Sequence, residues 1–266
     1  MSSTPTYIWH CENDPAATKV LAHHWPETPN LGDITRARWD HIEHPDILCG
    51  GYPCQPFSTA SAGRRKGQND QRDMWPWFAA TIRDLRPRLV VLENVAAHRT
   101  LGFGSVLSDL ATSRYDTQWW SLRASDAGAP HIRERLFAIA TDTGRDRRPQ
   151  RPQPHTNHHI TTQQRHQPHR PAVAESTGLA EDWGRYANAI RHWERLTRPA
   201  PPATERTRNG NPRPNPRFSE WLMGWPDGWV TDVDITRAEQ LRLIGNGCVP
   251  QQAEVALRFL AQRGAT

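Results

Sequence analysis

Asp46-Ile47-Leu48-Cys49-Gly50-Gly51-Tyr52-Pro53-Cys54-Gln55-Pro56-Phe57-Ser58 is the stretch on which the reading of the fold turns. Its apolar start, 46–49, predicts a short buried strand, and the glycine pair with two prolines ends that strand in a loop presenting Cys54. Toward the C-terminus, 74–85 predicts a helix, 88–92 a strand of continuous Val and Leu, 104–112 a helix, and 117–122 and 135–140 two more strands. Toward the N-terminus, 6–11 predicts another buried strand ending at Glu12 and Asp14, and Asp14-Pro15 starts a helix running to about Ala22. Strands alternating with helices predict an α/β domain built on a parallel-type sheet covered on both faces. Ligands of such sheets bind beyond the carboxyl ends of strands. Glu12, Cys54 and Glu93 each follow a predicted strand, the arrangement expected of a site.

The length, 266 residues, suits one large α/β domain or one domain plus a small lobe. Net charge is +5 and the pI near 9.4, a balance that suits a polyanionic partner. No run of 18 apolar residues and no basic-then-apolar leader occurs, so the reading is a soluble, cytoplasmic protein with no membrane partner. The four cysteines form no Cys-x-x-Cys pair, which argues against a zinc or redox motif. Cys11, Cys49 and Cys248 read as small core residues. His155, His158, His159, His166 and His169 lie among prolines and glutamines and read as a solvated loop, not a metal site. The 12 tryptophans read mostly as core.

Composition changes from about Thr141 to Arg217, where 14 arginines face 7 acidic residues and 11 prolines interrupt the chain. Residues 145–171 read as a flexible connection, and 182–196 restores helical spacing through Trp183, Tyr186, Ile190, Trp193 and Leu196. The expected organisation is therefore a core at 1–140, a basic linker with a target-recognition region at 141–214, and a return to the core at 215–266, ending in a helix over about 250–262.

Five motifs carry chemistry. They are Pro53-Cys54-Gln55-Pro56-Phe57-Ser58, Glu93-Asn94-Val95 after Leu89-Val90-Val91-Leu92, and Arg133-Glu134-Arg135-Leu136-Phe137. After them come Arg217-Phe218-Ser219-Glu220-Trp221-Leu222-Met223-Gly224-Trp225-Pro226 and Gly245-Asn246-Gly247-Cys248-Val249-Pro250-Gln251. In this order they resemble the DNA cytosine-C5 methyltransferase family over roughly 7–140 and 215–262. The resemblance implies a class I S-adenosylmethionine-dependent methyltransferase sheet, Rossmann-like, with S-adenosylmethionine as cofactor and double-stranded DNA as partner. Carbon 5 of cytosine is a weak nucleophile, so the family's chemistry is covalent: a thiolate adds to C6 while an acid protonates N3.

Carried over residue by residue, Cys54 is the implied nucleophile and Glu93 the group at cytosine N3. Arg135 approaches the base, with Arg133 beside it. Glu12 and Asp33 are the implied contacts to ribose and adenine, with Asp14 and Asn246 completing the cofactor pocket; Asp14 reads equally as a helix cap. Pro53, Gln55 and Ser58 are implied to meet DNA at the flipped base, and Arg64, Arg65 and Lys66 could grip phosphates.

Two departures stand out. No strand with a phenylalanine- and glycine-rich loop precedes Thr6, so the family's first strand is missing. A start lying upstream, a separate polypeptide supplying the element, or a remnant of the family would each account for this, and the retained catalytic residues favour the first. His131-Ile132 replaces the glutamine that usually opens the arginine motif. Two alternatives stay open: an RNA cytosine-C5 methyltransferase, and a catalytically inactive or split DNA-binding remnant.

Overall fold

The computed structural model describes residues 8–52, 74–144 and 183–263. Strands β1 (Ile47–Gly50), β2 (Leu89–Val95), β3 (Tyr115–Arg123) and β4 (Glu134–Asp142) form one sheet in the order β1-β2-β4-β3. β1 and β2 run parallel, whereas β4 is antiparallel to both of its neighbours. The parallel-type expectation thus holds for the direction of β1, β2 and β3 and fails at β4. Residues 124–133 between β3 and β4 contain only a short 3₁₀ turn at Ala124–Ala127. A parallel crossover needs a dozen or more residues, so the chain can only double back.

The buried strand expected at 6–11 is not formed among the described residues of that segment. Only His10 bridges to Asn30, in parallel sense, and residues 8–11 are half-buried. Their polar groups are satisfied by a loop instead: the His10 amide donates to Pro29 O and the Leu31 amide to His10 O. Cys49 is also exposed rather than core. Strand alternation turns Leu48 inward and leaves Ile47 and Cys49 on the outer face of β1. Cys11 and Cys248 are half-buried.

Helix α1 (Pro15–His24) starts where Asp14 accepts the amides of Ala16 and Ala17, and Pro15 presets the first turn. Helix α2 (Trp75–Leu85) buries Trp75, Phe78, Ala79, Ile82 and Leu85, a helical stripe, and stops at Arg86 in the left-handed region (φ 49°). With α3 (Phe103–Thr112) it covers the sheet face carrying Leu48, Val90, Leu92, Leu136, Ala138 and Ala140. Arg86 then reaches the buried carboxylate of Asp142 and the Ser113 carbonyl, tying the end of β4 to the α3–β3 turn.

Helices α4 (Ala187–Leu196), α5 (Pro216–Leu222) and α6 (Arg237–Asn246) build a second core with Val20, Ile190, Trp193, Trp221 and Ile244. The helix expected at 182–196 is α4, preceded by a 3₁₀ turn at Gly184–Tyr186. Between α4 and α5, two three-residue strands, β5 (Thr204–Arg206) and β6 (Pro212–Pro214), pair antiparallel. Glu220 of α5 is fully buried, and its carboxylate accepts the amides of Gly228, Val230 and Thr231 and the Thr231 hydroxyl. One acidic side chain thereby folds the loop that follows its own helix. Helix α7 (Pro250–Arg263) packs Ala256 and Leu260 on the opposite sheet face, against Leu122 and Phe137.

Candidate active site

The loop leaving β1 is set by close approach on both sides. A Cβ on Gly50 would stand 2.3 Å from the Phe78 ring, and one on Gly51 would stand 3.2 Å from Glu93 Oε2. Glycine at 51 is what lets the Glu93 carboxylate lie against this backbone. Tyr52 then anchors the chain, packing on Trp75 and Phe78. The Asn94 amide nitrogen donates to Tyr52 O (3.3 Å), while Asn94 Oδ1 accepts the Val95 amide. His98 Nδ1 donates to Leu101 O, so Nε2 is left as the acceptor for the Tyr52 hydroxyl at 2.7 Å. Pro53, Cys54, Gln55 and Ser58, with Arg64, Arg65 and Lys66, lie outside the described residues, as do the five histidines of 155–169.

Glu93 and Arg135 are brought together by register. Glu93 lies opposite Phe137, and Val95 opposite Arg135, across the β2–β4 ladder. Arg135 Nε lies 2.9 Å from Glu93 Oε1. Burial pushes the Glu93 carboxyl above its ordinary range, opposed by the charges of Arg135 and Arg133. Burial outweighs both charges, the direction that favours a carboxyl acting as an acid. Arg133 faces elsewhere: its Nη2 donates to the carbonyls of Gly245 (2.8 Å) and Gly247 (2.7 Å). Burial, helped by repulsion from Arg135, lowers it to about 10.

A pocket of about 470 Å³ opens beside these arginines, with His131, Arg133, Arg135, Leu222, Met223 and Ile244 in its wall. His131 Nε2 donates to Leu222 O (2.9 Å) and so bridges the start of β4 to α5. Burial pushes its pKa down, which keeps the ring neutral at pH 7. Histidine at this position therefore supplies a donor contact of its own.

The described thiols are poor nucleophiles. Burial and the nearby Asp33 and Glu12 push Cys11 up to about 11, and burial with the Glu93 charge pushes Cys248 up to about 12. Both stay protonated at neutral pH.

Asn30 ties the backbone at Glu12 to the loop that carries Asp33. Its Oδ1 accepts the amides of Glu12 and Gly32, and its Nδ2 donates to Glu12 O. S-adenosylmethionine presents hydroxyl and amine donors, for which carboxylates are the fitting acceptors. Glu12 fits: it spends Oε1 on the Asp14 amide, and Oε2 has no hydrogen-bond partner among the described residues. Asp33 is held below the usual carboxylate range by the amide and hydroxyl of Thr35. Asp14 is engaged as the cap of α1 and as the ion-pair partner of Arg242 (2.8 Å), with its pKa lowered chiefly by that arginine. Asn246 is the exposed last residue of α6.

Tyr52, Asn94 and His98 brace the candidate site through contacts that sequence reasoning did not assign, as does Gln252. Gln252 is fully buried, and its Nε2 donates to Leu122 O (2.8 Å) and Arg133 O (2.7 Å). A glutamine inside the otherwise ordinary helix α7 was the available signal.

Residues 2–204 match the family model for C-5 cytosine-specific DNA methylases, and the chain belongs to that family. It is 33% identical to the type II methyltransferase M1.ScrFI of Lactococcus lactis subsp. cremoris, over 51% of this chain and 35% of that protein. It is also 33% identical to the type II methyltransferase M.HhaI of Haemophilus parahaemolyticus, over 50% of this chain and 41% of that protein. The matched part thus spans well under half of either relative. The Entamoeba histolytica methyltransferase EhMeth shares the fold at a TM-score of 0.58 and 17% identity, covering 92% of this chain and 88% of that one. Among the described residues, no helix is long and apolar enough to cross a membrane.

Proposed function

We propose that the protein methylates carbon 5 of cytosine in double-stranded DNA, with Cys54 as nucleophile and the Glu93–Arg135 pair as the acid and its cationic support. The observation that carries this reading is the ion pair at 2.9 Å, in which Glu93 is raised by burial and lies against Gly51, three residues before Cys54 in the chain. Family membership and relatives named as type II methyltransferases support it.

In this mechanism the Cys54 thiolate adds to C6 of a cytosine turned out of the duplex, and Glu93 delivers a proton to N3. The electron pair released into the ring makes C5 nucleophilic. S-adenosylmethionine, when bound, supplies the methyl group that C5 takes. A base then removes the C5 proton, the C6–S bond breaks to release the Cys54 thiolate, and N3 returns its proton to Glu93. Arg135 offsets charge at the base and holds Glu93 in place. Glu12 accepts ribose hydroxyl protons, with Asp33 and Asn246 bounding the donor pocket. The basic and apolar wall around His131, Arg135 and Leu222 suits the phosphate and sugar beside the reacting base.

Duplex DNA carrying 5-fluorocytosine blocks the final proton removal and should trap a covalent complex stable to denaturation. Wild type should form it and Cys54→Ser should not; trapping by Cys54→Ser would overturn the assignment. Methyl transfer to RNA but not to duplex DNA would overturn the substrate.

A further inference from the structure

Arg133 immediately precedes β4, two residues before Arg135, yet its guanidinium does not join the Glu93 pair. It clasps the two carbonyls that flank Asn246, those of Gly245 and Gly247. The clasp is returned from the other side. Gln252, in the first turn of α7, donates back to the carbonyl of Arg133 and to that of Leu122. Trp225 closes the turn through a hydrogen bond from Nε1 to Cys248 O (2.8 Å). Glycine is required at 247, because a Cβ there would stand 2.2 Å from the Trp225 ring. Residues 245–248 are therefore held by two side chains, Arg133 and Trp225, and Gln252 in turn fixes the backbone of residue 133. Arg133 remains an arginine in this setting at an electrostatic cost, since burial and Arg135 both lower it to about 10.

We infer that Arg133 is a positioning residue: it sets Asn246 at the donor pocket in fixed register with Glu93 and Arg135, and it does not itself meet substrate. This rests on the reading of Asn246 as a donor-pocket residue. A phosphate-gripping arginine needs its donors free for solvent-borne oxygens, whereas this one spends Nη2 on two backbone carbonyls. The consequence is specific: loss of Arg133 should act on donor affinity, and only by way of Asn246.

Calorimetric titration of S-adenosylhomocysteine into the full chain separates the possibilities without relying on turnover. Arg133→Met should weaken binding roughly 10-fold, in line with the coupling of residues in one hydrogen-bond network. Arg133→Lys, which keeps a donor in place, should lose about threefold or less. Asn246→Ala should weaken binding to a similar degree, and Arg133→Met combined with Asn246→Ala should be no worse than Asn246→Ala alone. Full additivity in the double variant, or unchanged affinity in Arg133→Met, overturns the inference. If Arg133→Met does not fold, the same cycle run with Arg133→Lys decides on additivity. Absence of binding by wild type would instead sink the proposed donor pocket, which distinguishes the two failures.

Discussion

Glu93 concentrates the chemistry in one side chain, and its protonation can be read in two ways. Burial raises its pKa above that of an unfolded glutamate. The folded state therefore holds the proton more tightly, and stability falls as pH rises from the unfolded pKa through the folded one. In the proposed mechanism the methyl-transfer step has the same sign, because the protonated carboxyl would be the acid. Single-turnover rates should fall as pH rises through the raised pKa. Glu93→Gln should lie about 100-fold lower and lose that pH dependence. A pH profile unchanged by the substitution would show that another group titrates. The proposed roles of Cys54, Glu93 and Arg135 could be read from motif residues alone, and the described residues show that Glu93 and Arg135 meet. Those of Tyr52, His98 and Gln252 could not, because each acts through a partner 46 to 130 residues away and no local pattern announces such a partner.

At the scale of elements, apolar spacing located α2, α4, α7 and the four main strands to within a few residues. Strand direction was less legible, since period-two alternation is the same whichever way a strand runs. What reverses β4 is the shortness of 124–133, a property of the connection and not of the strand. The apolar run at 8–11 was misread for a related reason: periodicity records which residues could be buried, not whether a neighbouring strand offers its hydrogen bonds. Element-level accounting also gives Glu220 a measurable role. Glu220→Ala would leave the amides of Gly228, Val230 and Thr231 without their acceptor. Unmet buried donors cost about 3 kcal/mol together, so the urea midpoint should drop accordingly. An unchanged midpoint would mean that the 224–231 loop folds without its carboxylate.

For the whole molecule, the net charge of +5 belongs to association and not to the fold. Binding to duplex DNA through about six phosphate contacts should weaken roughly 1000-fold between 50 and 200 mM salt. Arg133→Met should leave the slope of that dependence unchanged, because its guanidinium is engaged with Gly245 and Gly247. Filter binding across a salt series measures both. A slope reduced by about one would place Arg133 on a phosphate.

The order β1-β2-β4-β3 also has a meaning in time. Translation delivers β3 before the strand that must lie between it and β2, so the growing polypeptide holds a sheet in two halves until residue 142 emerges. Gln252 bonds across Leu122 and Arg133 later still. The Glu93–Arg135 pair therefore assembles late in synthesis, once β4 has slotted between strands made before it.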